Sequence, residues 1–186
     1  KAEGLPVTAE VTPHHLYFDH SYIEETNPVF KMMPPLRSES DVAAVRAGLA
    51  NGTIDLVATD HAPHSDHEKD HPWEDTPFGV TGLEWAAAVV NTVTDMSPER
   101  FFEVMSTHPA RIAGLDSHGA IAVGAPANLV VFDPEGSADT AKTRSRSSNS
   151  PYLGLDDLKG AVVHTIYRGD FTVRSGSVAE MAGATG

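Results

Sequence analysis

The sequence predicts an α/β protein. Two short runs of strand character, "PVTAEVTP" (residues 6–13) and "TIDLVATD" (53–60), flank "SESDVAAVRAGLANG" (38–52), which has helical spacing. Strand, loop, helix, strand is the repeat of a parallel sheet, and in such sheets chemistry collects at the carboxyl ends of the strands. From Gly119 onward the chain changes to short β-type pieces, so a small all-β appendage is expected after the α/β part.

Each element follows from local chemistry. The first strand is β-branched, reads as buried and is expected to stop at Pro13. Residues 16–37 mix aromatic and polar side chains and end in "KMMPPLR", where Pro34 and Pro35 exclude helix and favour a rigid extended turn. In the helix that follows, Ser38 or Ser40 can cap the start, Val42, Val45 and Leu49 share a face, and Gly52 lies just past the end. The second strand carries Ile54, Leu56 and Val57 and ends on Asp60, before a polar loop over 61–77. Three shell helices are expected from "GLEWAAAVVNTV" (82–93), "SPERFFEVMST" with a start at Ser97, and "HPARIAGL". "GAIAVGAPANLVVFDP" and "AVVHTIYRGDFTVRSGSV" supply the later strands, with "RGD" as a hairpin turn. Between them the Ser-rich stretch 136–154 reads as loop, and the tail "AEMAGATG" is expected to fray.

Composition narrows the partners. A chain of 186 residues with 40% hydrophobic content can bury a core, and a formal net charge of -13 argues against nucleic acid or an anionic membrane surface. A small-molecule or protein partner suits it better. With no cysteine, any metal must be held by His, Asp or Glu. No apolar run approaches the roughly 20 residues of a membrane helix, and no signal pattern opens the chain, so a cytoplasmic protein is expected. The opening "KAEGLPVTAEV" lacks Met, and the first residue is not expected to be the start of the gene.

The candidate chemistry lies in "VATDHAPHSDHEKDH" (57–71), which sets Asp60, His61, His64, His67 and His71 directly after the second strand. A carboxylate is a normal oxygen ligand and proton acceptor, although an Asp ending a strand is ordinarily a turn or cap residue. Pro63 directs the chain so that His64 can face the same mouth as Asp60. His67 and His71, among charged neighbours, read as solvated. At the first strand's end, His14 and His15 could orient a substrate or support a site. Arg37 could pair with a carboxylate, the alternative being a plain surface charge. Only Asp60 is defensible as a metal ligand from the residues alone, fewer than the three a catalytic zinc takes.

"VTAEVTPHHL", "PPLR", "GTIDLVATDHAPH" and "PFGVTGLE", in this order and spacing, resemble the class I dihydroorotases of the cyclic amidohydrolase branch. "GAIAVGAPANLVVFDP" and "SNSPYLG" with "LKGAVVHTIYRGD" resemble that family's C-terminal segments, so the resemblance spans nearly the whole chain. It implies the C-terminal part of a (β/α)8 TIM-type barrel, about the last two strands and their helices, over 1–117. Residues 118–186 would be the C-terminal part of a small β-sandwich. It implies interconversion of dihydroorotate and N-carbamoyl-L-aspartate at one or two zinc ions. Asp60 would bind metal and shuttle the proton, and His64 would bind the substrate carboxylate. The backbone around Pro77 and Gly79 would line the pyrimidine ring, with the "PPLR" loop on its far side.

The same resemblance places the family's other metal ligands upstream of Lys1, so this chain alone is not expected to retain the metal or be active. A partner is expected: the missing N-terminal half or a second copy, because part of a barrel leaves strand edges unpaired. Met33 stands where dihydroorotases usually have a substrate-contacting Asn, and its side chain cannot make those hydrogen bonds. That substitution keeps open two other readings: an allantoinase or dihydropyrimidinase, and a non-catalytic dihydroorotase-like partner of aspartate carbamoyltransferase.

Overall fold

Glu10–Val11 (β1) pairs in parallel with Leu56–Val57 (β2), in the register Glu10 to Leu56 and Val11 to Val57. The structure is a computed structural model describing residues 1–23 and 26–179; all but Ala179 of the tail expected to fray lies outside the described residues. Both strands are shorter than expected. Hydrogen bonds Asp55 N–H to Ala9 O and Ala58 N–H to Val11 O extend the pairing slightly, but Leu5 and Val7 are exposed rather than buried. Pro13 does not simply stop β1. It opens a short helix, α1 (Pro13–Tyr17), where its missing N–H is no loss, and Thr12 caps that helix by accepting from His15 N–H.

The crossover helix α2 (Glu39–Asn51) forms where its sequence signals place it. Ser38 accepts from Asp41 N–H while the Asp41 carboxylate accepts from Ser38 N–H, and Gly52 ends the helix at φ 86°. Val42 and Leu49 are buried. Beyond β2, the expected polar loop contains one helical turn, α3 (Asp66–Lys69), capped by Ser65.

Helix α4 (Ala86–Val93) starts later than expected, because 83–85 form a turn in which Trp85 is buried. The two helices expected after it are one continuous run: α5 (Pro98–Phe102), a π-helical segment (Glu103–Thr107) and α6 (His108–Ile112). Pro109 has no N–H for an ordinary helical bond, and the widened π turn before it accommodates its ring. These helices are not merely a shell. Val89, Val90 and Val104 are fully buried, and Val90 and Val104 share a cluster with Val11, Leu16, Leu49 and Val57.

"GAIAVG" forms no strand, and Ile121 and Val123 are fully exposed. The antiparallel sheet begins later and has the order β3 (Leu129–Ser137), β4 (Lys159–Tyr167), β5 (Asp170–Arg174), β6 (Ser177–Val178). Pro134 is tolerated because β3 is an edge strand with a register shift between Asp133 and Ser137. Arg168 and Gly169, at φ 52° and 94°, turn β4 into β5 as the "RGD" signal predicts. The sheet is tied to α4 by Asn91, whose amide donates to Pro134 O and Lys159 O, and to α5 by stacked Phe101 and Phe132 rings. Among the described residues, no helix is long and apolar enough to cross a membrane.

Candidate functional site

The chain leaves β2 and turns at Asp60, whose φ of 47° is left-handed, a conformation open to Asp because its short polar side chain tolerates it. Asp60 is exposed, and its carboxylate has no hydrogen-bond or ion-pair partner among the described residues. His61 continues the parallel pairing by bridging to Val80, and its Nδ1 accepts from Gly82 and Leu83 N–H. That places the segment 60–64 beside the segment 77–82.

These two segments are in close contact. His64 Nε2 donates to Phe78 O at 3.0 Å, and Ala62 N–H donates to Val80 O at 2.9 Å. Gly79 has a φ of 128°, and a Cβ there would stand 2.6 Å from Ala62 Cβ and 3.1 Å from His64 Nε2. Only glycine fits. Gly79→Ala is expected to push the segments apart and lower stability by about 2 kcal/mol, read from urea denaturation. The "KMMPPLR" loop joins from the other side, with Gly79 N–H donating to Lys31 O at 2.9 Å. His15 holds the same loop: Nε2 donates to Pro34 O at 2.9 Å and Nδ1 accepts from Thr12 Oγ at 2.7 Å. Thus His64, Pro77, Gly79 and Met33 lie on loops bonded to one another at the strand end that carries Asp60. Met33 is exposed there, after which a cis bond leads into Pro34.

Other histidines behave differently. His14 is fully buried, and neither ring nitrogen has a hydrogen-bond partner among the described residues. Burial, aided by the neighbouring His15, pulls its pKa down to about 3. It is a core imidazole held neutral. His67 and His71 are exposed, with ring centroids 5.4 Å apart. Among the described residues the Arg37 guanidinium makes only a 4.0 Å contact with Asp41 on the surface, while the Arg37 carbonyl accepts from His20 N–H and Nδ1.

Sequence reasoning missed the residues that set these loops. Lys31 Nζ donates to Thr76 O at 2.6 Å and also to the Trp73 carbonyl, and lies 4.7 Å from the Phe78 ring centroid. Lys69 Nζ donates to Pro28 O and Pro77 O, and burial, then the charge of Lys31, lowers its pKa to about 8. Asn149, in the stretch read as loop, is 3% exposed and bonds to both the 60–64 and 77–82 segments. No periodicity or spacing signals a lysine that bonds only carbonyls. "SNSPYLG" stood out as a pattern, without a reason for its Asn.

As a metal site the described residues are incomplete. Asp60 is a suitable oxygen donor, yet no group of three or more His, Cys, Asp or Glu among the described residues could hold an ion.

The family model described as the amidohydrolase family matches residues 4–171. A dihydroorotase from Leifsonia xyli is 45% identical over 190 residues, covering 98% of this chain and 43% of the relative. One from Streptomyces coelicolor is 45% identical over 96% of this chain and 43% of its own length. Among solved structures, an L-hydantoinase (dihydropyrimidinase) from Arthrobacter aurescens superposes with a TM-score of 0.88 at 31% identity. It covers 96% of this chain and 42% of the other. A D-hydantoinase (dihydropyrimidinase) from Thermus sp. gives 0.84 at 28% identity, with 98% and 43% covered. The chain spans less than half the length of the curated relatives it matches.

Proposed function

The chain belongs to the amidohydrolase family, and from that premise we propose that it is the Asp60-bearing part of a dihydroorotase, interconverting (S)-dihydroorotate and N-carbamoyl-L-aspartate. The observation that carries this reading is an Asp60 carboxylate unengaged among the described residues, at a parallel strand end, in a chain 45% identical to dihydroorotases along nearly its whole length. In this reading β1 and β2 are the last two strands of a (β/α)8 barrel spanning 1–117 here. The antiparallel sheet within 118–186 is the C-terminal part of a small β-sandwich.

Asp60 would be the one zinc ligand among the described residues, with the other donors supplied by an N-terminal complement. Zinc, when bound there, would supply an activated water and polarise a carbonyl. Asp60 itself accepts the proton of the attacking water and returns it to the ring nitrogen as the amide C–N bond breaks. His64 binds the substrate carboxylate, which is a stronger acceptor than a carbonyl and takes over the N–H now given to Phe78 O. The backbone at Pro77 and Gly79 lines the ring. The open edges of β1 and β2 are where the complement, or a second copy, completes the sheet.

Met33 favours a second reading, a cyclic amide other than dihydroorotate, and the hydantoinase neighbours lend it weight. A non-catalytic partner of aspartate carbamoyltransferase is the third. A panel of dihydroorotate, dihydrouracil, hydantoin and allantoin, presented to the chain combined with its complement and zinc, decides. Preference for dihydroorotate supports the proposal; preference for hydantoin or dihydrouracil, or no turnover by a zinc-loaded assembly, rejects it. Met33 is exposed, so Met33→Asn leaves the fold intact. It is expected to raise kcat/KM for dihydroorotate about tenfold, the worth of roughly one hydrogen bond, in steady-state assays.

A further inference from the structure

Asn149 lies 85 residues beyond His64 in sequence, in the connection between β3 and β4, yet its side chain reaches the site. Its Nδ2 donates to Ala62 O at 2.9 Å and to Gly79 O at 3.2 Å, while its Oδ1 accepts from His64 N–H at 3.1 Å. Its own backbone carbonyl accepts from Thr81 N–H at 2.9 Å. Two carbonyl oxygens can only accept and one amide N–H can only donate, so the side-chain orientation is settled by its partners. A carboxylate of the same shape would face two carbonyls with no hydrogen to give. A hydroxyl has one donor for two acceptors.

The neighbours of Asn149 reinforce the same junction. Ser150 Oγ donates to Thr81 O, and Ser148 Oγ donates to the Asp66 carboxylate. The segment 148–150 therefore closes over the seam between the loop carrying Asp60 and His64 and the loop carrying Pro77 and Gly79. Direct ties also cross that seam, His61 Nδ1 to Gly82 and Leu83 N–H, His64 to Phe78 and Ala62 to Val80, and to these Asn149 adds a side-chain amide bonded to both Ala62 O and Gly79 O.

We propose that Asn149 is a positioning residue of the reaction: by holding Ala62 O, Gly79 O and His64 N–H on one amide, it sets the distance between the Asp60–His64 loop and the ring-lining Pro77–Gly79 loop. This rests on the dihydroorotase reading for its catalytic consequence, but not for its geometric one. All three side-chain bonds of Asn149 go to backbone groups of these loops.

The test uses Asn149→Asp and Asn149→Ser, with two readouts. In the chain combined with its complement and zinc, KM for dihydroorotate is expected to rise about tenfold and kcat to fall by up to about 100-fold, because small misplacements of binding groups are expensive. A role in stability alone lowers the amount of active protein and leaves KM unchanged. The second readout is amide hydrogen exchange. Peptides covering 61–65 and 79–82 are expected to exchange faster in both variants, while those from β4 keep their protection. If the wild type fails to turn over dihydroorotate, the functional reading falls and the exchange result still judges Asn149. An unchanged KM in an active enzyme, or unchanged exchange at 61–65, overturns the inference. Loss of protection throughout in both variants, β4 included, would make Asn149 a residue of the fold at large and overturns it as well.

Discussion

Asp60→Asn is expected to lower dihydroorotate turnover by on the order of 10³-fold or more, in line with the loss of a general base that also ligates metal. The fold should not notice. Asparagine is nearly the same size, tolerates the left-handed φ of 47° at this position, and replaces an exposed carboxylate that has no partner among the described residues to lose. Stability is therefore expected to stay within about 0.5 kcal/mol of the wild type, as for other exposed substitutions without special contacts. Steady-state kinetics of the zinc-loaded assembly measure the first, and thermal unfolding of the metal-free chain, in which Asp60 has no ligand role to lose, measures the second. Retention of more than about a tenth of wild-type turnover would remove Asp60 from the chemistry.

Acid is expected to destabilise this chain well before its carboxylates titrate, and His14 is the reason. In the folded chain its pKa is about 3, against an ordinary 6.5 when unfolded. The unfolded state thus binds the extra proton over the window between those values. The stabilisation is fully present above 6.5 and is lost as the pH falls toward 3. Between pH 7.5 and pH 5 the loss from this residue is about 2 kcal/mol, at roughly 1.4 kcal/mol per unit. His14→Leu keeps the volume and removes two buried nitrogens without a partner among the described residues, so it is expected to be neutral or stabilising at pH 7.5. Urea denaturation at the two pH values should show the variant's difference smaller by about 2 kcal/mol. Equal differences in the two proteins would mean that the imidazole is not held neutral in the core.

What was legible in the sequence was what local chemistry decides. Ser38, Asp41 and Gly52 bracket α2 by capping rules that need no tertiary partner, and Arg168 and Gly169 turn the hairpin by their own backbone conformations. The position of Asp60 just past β2 was legible because an apolar run ends on it. Strand length was not: residues 6–9 have strand composition, but pairing decides a strand, and β1 pairs with β2 over two residues. Nor was the joining of α5 and α6, since Pro109 is a helix breaker unless the preceding turn widens. The site's framework was least legible. Lys31, Lys69 and Asn149 act by side-chain bonds to backbone carbonyls more than forty residues away in several cases, and such bonds leave no period or spacing in a sequence.

Whether this chain carries Asp60 into a dihydroorotase completed by an N-terminal complement is decided by mixing the two. Dihydroorotate hydrolysis would be followed with zinc for the chain alone, for the separately produced upstream segment alone, and for the two together. Activity that appears only on mixing, and that vanishes with Asp60→Asn, is the result expected. Halves that demonstrably reassemble and bind zinc yet leave dihydroorotate untouched would contradict the account.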